Sequence, residues 1–98
     1  MTYLNIVGPQ VMRLRVLRGW SQEMLSEKLR IAGWSVTGTS LAKLELRVLP
    51  VADHHLFFLA KIFDVLLSEL FPKIDPQDPN LHETLNRFMS DSSWQDEG

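Results

Sequence analysis

The sequence predicts an all-α domain, and three observations carry that prediction. Apolar residues recur at i, i+3, i+4 and i+7 in successive short stretches, the spacing of one helix face. Good N-cap residues, Ser21, Thr37 and Asp53, stand at the start of three of those stretches. Glycine and proline separate them, at Gly8-Pro9, Gly19, Gly33, Pro50 and Pro72.

The elements follow in order. Residues 1–7 form a leader, and the sequence leaves open whether Tyr3, Leu4 and Ile6 pack on the core or extend as an arm. Gly8-Pro9 starts the first helix, with proline where its missing N–H costs nothing. Val7, Val11, Leu14 and Leu17 give it an amphipathic stripe, and Gly19 ends it. Ser21 caps a second helix with Leu25, Leu29 and Ala32 on one face. Gly33 can take the left-handed conformation that closes a helix. Thr37 caps a third, short helix over residues 37–45, pointing Leu41 and Leu44 inward. Leu49 and Val51 plug the core beyond it. Asp53 caps a fourth helix whose core face is Leu56, Leu59, Ala60 and Phe63, widened by Phe57 and Phe58, with one of these two open to exposure at a subunit contact. Residues 65–71 suit a short fifth helix, with Leu67, Leu70 and Phe71 closing the core. Residues 73–80 are a turn-rich connector. Asp78-Pro79 opens one more helix with Leu81, Leu85, Phe88 and Met89 in a stripe. Residues 90–98 are polar and acidic and read as a disordered end, with Trp94 the exception. The organising pair is the second and third helices. Two helices around a turn, with small polar residues opening the second, form a shape that fits the DNA major groove.

The segments Leu14-Arg15, Gly19-Trp20-Ser21-Gln22-Glu23-Met24-Leu25, residues 37–45 and residues 53–71 resemble, in order and spacing, the Cro and phage-repressor-like (XRE-like) helix-turn-helix family. The resemblance spans residues 7–72. It implies a five-helix lambda-repressor-like DNA-binding domain over residues 1–72, with residues 73–98 as an appendage carrying the extra C-terminal helix. It implies that residues 37–45 are the reading helix and that Gln22 and Arg47 meet DNA phosphates. It also implies that Arg15 pairs with Glu45, tying the first helix to the third, and that Trp20 packs beneath the motif. Thr37, Gly38, Thr39, Ser40 and Lys43 then face the groove. Hydroxyls there read base edges with little discrimination, and Lys43 reaches guanine or a phosphate. No Arg, Asn or Gln offers a bidentate base contact, so the helix predicts modest specificity. The sequence departs from the compact form of the motif at Arg30, where relatives have glycine. The turn is longer by about five residues, so the second helix extends to Ala32, and Ile31, Trp34 and Val36 fill the gap.

Composition bounds the functions. The 98 residues make one domain with a tail, and 45% are apolar, as in ordinary globular proteins. The net charge of −2 conceals an asymmetry. Residues 1–50 hold seven Lys or Arg and three Glu; residues 51–98 hold three basic and nine acidic residues. A basic half containing the reading helix is what phosphate attraction needs. There is no cysteine, hence no disulfide framework or thiolate metal site, which suits a cytoplasmic protein. No apolar run approaches a membrane span and no signal peptide is evident. His54 and His55 are adjacent and should diverge, with no third ligand beside them, so no metal is expected. No phosphate loop, nucleophile elbow, HExxH or Cys–His set is present, so neither a cofactor nor catalysis is expected. Double-stranded DNA and a homodimer through Leu81, Leu85, Phe88 and Met89 are the expected partners, and no small-molecule ligand is evident in the sequence. The competing expectation is a protein-interaction module, antitoxin-like or adaptor, built on the same fold.

Overall fold

Helices of eight to eleven residues are marginal in water, so each helix here must be held by its neighbours. The computed structural model describes residues 2–90. It contains α1 (Gly8–Leu17), α2 (Gln22–Ala32), α3 (Gly38–Glu45), α4 (Asp53–Phe63) and α5 (Leu81–Met89), with a 3₁₀ turn at Leu67–Leu70. No strand occurs among the described residues; Thr2 and Ser90 form an isolated antiparallel bridge. The fold is therefore all-α. No helix among the described residues is long and apolar enough to cross a membrane.

Helices α1 to α4 and the 3₁₀ turn surround one core. Val11, Leu25, Leu29, Leu41, Leu59, Phe63 and Leu70 are fully buried, joined by Val7, Leu14, Val36 and Leu44. Burying each such side chain is worth roughly 1.5–3 kcal/mol, which offsets the poor intrinsic stability of short helices. Trp20 stacks on Phe63 with ring centroids 5.8 Å apart, the core role expected of it. Leu49 and Val51 pack against the cluster as predicted.

Helices α2 and α3 start at side-chain caps. The Ser21 hydroxyl accepts from Met24 N at 3.1 Å and the Thr37 hydroxyl from Ser40 N at 3.0 Å. Helix α1 ends where Gly19 turns to φ +70°, with Gly19 N donating to Val16 O and Trp20 N to Arg15 O. That pair of bonds is a Schellman closure. The same closure ends α3, through Arg47 N to Leu44 O and Val48 N to Lys43 O. Its left-handed residue is Arg47, at φ +65°, where a side chain is normally disfavoured.

Several expectations need correcting. Leu17 and Ile31 are 66% and 74% exposed. Leu17 completes the α1 spacing but lies past the buried face, and Trp34 and Val36 fill the turn without Ile31. The N-cap of α4 is Ala52 with no side-chain bond; Asp53 is the first helical residue. The fifth helix is a single 3₁₀ turn, because Leu66 supplies no cap oxygen and Glu69 must reach back to Leu66 N at 2.6 Å. Phe71 is exposed rather than core. Helix α5 starts at Leu81, two residues after Pro79, because Asp78 first closes a turn by accepting from Asn80 N at 2.8 Å. Trp94 and the acidic end lie outside the described residues.

The leader packs; it is not an arm. Tyr3 N donates to Met89 O and Leu4 N to Arg47 O, both at 2.8 Å. Asn5, 8% exposed, is its anchor. Its amide donates to Leu44 O at 3.1 Å and Leu49 O at 2.8 Å, while its carbonyl oxygen accepts from Gly8 N at 2.8 Å. One side chain thus caps α1 and pins both sides of the α3 exit. The Asn5→Ala variant leaves these buried backbone groups unpaired and should lose about 2 kcal/mol or more in a urea unfolding experiment.

Candidate nucleic-acid interface

Helix α3 is positioned through its last residue. Glu45 is 6% exposed. Its Oε2 accepts from Arg15 Nε at 2.7 Å, and its Oε1 accepts from Arg15 Nη2 at 3.0 Å. Gln22 Nε2 also donates to Oε1, at 3.1 Å. The remaining Arg15 amine, Nη1, donates to Trp20 O at 2.8 Å. The fork-to-fork geometry fixes angle as well as distance. These bonds to Glu45 raise the Arg15 guanidinium above its ordinary pKa, against the opposing cost of desolvation. The cluster joins α1, the loop before α2, the first residue of α2 and the end of α3.

With that end fixed, the outward surface of α3 is defined. Leu41 and Leu44 face the core. Thr39 and Lys43, four residues apart, are exposed on the same outer face. Thr37 is exposed and Ser40 half-buried, but their hydroxyls are partly committed to each other, Thr37 Oγ1 donating to Ser40 Oγ at 3.1 Å.

Three predicted contacts are corrected by this geometry. Gly38 is buried beneath Glu23: a Cβ there would meet Glu23 Oε1 at 1.8 Å. The bare backbone accommodates a carboxylate of its own chain, not an approaching base. Gln22 turns its amide inward to Glu45, because the buried carboxylate needs a further donor beyond Arg15. Arg47 is 4% exposed and faces no solvent. Its guanidinium lies 3.7 Å from the Tyr3 ring centroid and donates to Phe88 O, so it fastens the leader and α5 to the end of α3. The left-handed backbone at Arg47 turns its side chain inward; its Cγ lies where a Cβ on Gly8 would come within 2.8 Å.

The basic half of the sequence does not become a basic face. Arg15 and Arg47 are used internally, and Arg18 bonds Phe63 O. Arg30 pairs with Glu27 on the surface, which lowers the Glu27 pKa through the hydrogen bonds. Lys28 lies over the Trp20 ring, Nζ 4.6 Å from its centroid. Lys43 is the exposed cation on α3 itself.

The long turn is braced by aromatic contacts. Gly33 takes φ +121° and Trp34 then stacks on His55, centroids 4.1 Å apart and planes 11° from parallel. The rings of His54 and His55 are 4.2 Å apart, so these neighbours converge rather than diverge as expected. No group of three or more candidate metal ligands occurs among the described residues.

Comparison with protein-family models, curated proteins and solved structures found no match to this chain.

Removing Glu45 strands Arg15 and frees Gln22. Glu45→Ala should cost about 3 kcal/mol in denaturant unfolding, well above the loss expected for a surface pair. Burial, and then the neighbouring His54, lower the pKa of His55 below its ordinary value. The folded chain therefore binds this proton less readily than the unfolded chain. The contribution of His55 to stability is complete above about pH 6.5 and declines as pH falls below it. His55→Phe keeps a ring against Trp34 but carries no proton, so its melting temperature should fall less between about pH 7 and pH 5.

Proposed function

We propose that this chain is a helix-turn-helix DNA-binding regulator of bacterial or phage type, with the lambda-repressor-like arrangement and a cytoplasmic location. The observation that carries the reading is the fixing of α3 through Glu45 to Arg15 and Gln22, with Thr39 and Lys43 left facing outward. A reading helix needs a rigid base and a free polar face, and α3 has both. The XRE-like pattern of the sequence supports the same reading. Nothing in it calls for catalysis, a cofactor or a metal.

On this reading, Lys43 supplies charge and Thr39 supplies limited base discrimination. Thr37 and Ser40 flank them at the helix start, and Gln22, Gly38 and Arg47 act through structure rather than contact. A two-fold operator would call for a homodimer. Leu81, Leu85, Phe88 and Met89 are each half-buried by their own chain, so a partner would meet what remains of that face.

One observation favours the interaction-module alternative. The Glu23 carboxylate covers Gly38 at the start of α3, where the helix dipole would otherwise attract a phosphate. A protein partner with a basic surface would suit that arrangement.

Binding of the purified chain to random duplex DNA over a salt series separates the two. Enrichment of two-fold symmetric sequences supports a dimeric regulator; no binding at low salt moves the assignment to the interaction module. In the DNA case Lys43→Ala should weaken binding and reduce the salt slope by about one. Glu23→Gln should tighten it by about threefold at low salt, an effect that fades as salt rises.

A further inference from the structure

Between α1 and the segment after α4 lies a cleft of about 730 Å³. It is lined by Gln10 and Arg13 from α1 and by Ser68, Glu69, Phe71 and Lys73 from the 3₁₀ turn and the connector, with Pro72 and Ile74 completing the wall. The volume falls within the ~300–1,000 Å³ usual for small-molecule sites. We propose that this cleft binds a small phosphorylated molecule carrying a flat apolar group, of the size of a nucleoside monophosphate.

The lining carries the argument. Arg13 and Lys73 come from segments sixty positions apart in sequence and converge on one cleft. Neither forms an ion pair among the described residues, whereas Arg15 and Arg30 do. Two exposed cations lining one cleft raise its local positive potential and favour an anion there. Guanidinium forks and ammonium point charges are complementary donors to phosphate. The lining acid, Glu69, has Oε2 engaged by Leu66 N at 2.6 Å, which holds its charge toward the start of the 3₁₀ turn. Gln10 is fixed by its donation to Glu69 O at 2.9 Å, so α1 and the 3₁₀ turn are tied across the cleft. The Ser68 hydroxyl adds a further donor. The Phe71 ring, exposed rather than packed in the core, lines the same cleft as the two cations, as does Ile74.

The cleft is distinct from the face of α3. Arg13 and Arg15 are two residues apart on α1 and so project about 200° from one another. Arg15 is directed to Glu45, which leaves Arg13 on the other side of the helix. The site needs no DNA, and its occupancy is measurable on the protein alone.

The test is an amide NMR titration of the full chain with adenosine monophosphate, inorganic phosphate and adenosine. Adenosine monophosphate should shift the amides of Arg13, Ser68 and Lys73 saturably. Inorganic phosphate should shift the same amides more weakly, and adenosine should do so least. Arg13→Gln and Lys73→Gln, both at exposed positions, should each weaken adenosine monophosphate by about tenfold. Three results would overturn the proposal: no saturable shift with adenosine monophosphate, an affinity unchanged in both variants, or shifts centred on Thr39 and Lys43 instead of the cleft.

Discussion

A buried carboxylate cannot remain ionised without donors, and in this protein that requirement sets the position of a helix. Glu45 closes α3 in a nearly dry environment, and Arg15 and Gln22 converge on it. Each donor comes from a different helix, so satisfying one charge fixes three elements at once. An apolar contact in the same place would stabilise the packing but would tolerate sliding. The forked ion pair does not, because two parallel bonds are lost together when the angle changes. The free surface of α3 inherits that rigidity.

The charges show how a sequence total misleads. Seven basic residues in the first half suggest a positive surface, yet most of them do other work. Arg15 holds α3, Arg18 caps a carbonyl at the end of α4, Arg30 joins Glu27, and Arg47 lies inside. Charge counted along the chain records valence but not direction. Arginine in particular combines a long apolar stem with five donors, so it serves interior carbonyls as readily as solvent.

Legibility followed the same division. The first four α-helices were readable from periodicity and caps, because burial of one face is a local pattern: Leu25 with Leu29, Leu41 with Leu44, Leu59 with Phe63. The pairing of Arg15 with Glu45 was readable only through the resemblance. What escaped were interactions defined by distant backbone. Asn5 sits in an apolar leader, where a lone amide is a faint signal of buried backbone partners. The contact of Glu23 with Gly38 needs the relative placement of two helices. The resemblance places Arg47 on phosphate, where relatives carry a basic residue; its left-handed backbone, which no residue type announces, redirects the side chain inward. Trp34 and His55 meet because the longer turn folds back onto α4, which the number of added residues alone does not specify.

The polar ties share a property with consequences for how the fold assembles. Arg15 to Glu45 spans 30 positions, Asn5 to Leu44 and Leu49 spans 39 and 44, and Arg47 to Phe88 spans 41. The hydrogen bonds inside each helix span four. Loop closure taxes the distant set and spares the local one. Where the apolar core still holds the short helices, opening the long ties leaves their internal bonds in place while the orientation of α3 is lost. Total helicity is therefore an insensitive gauge of this molecule's competence, which resides in a few long-range bonds and not in the amount of helix.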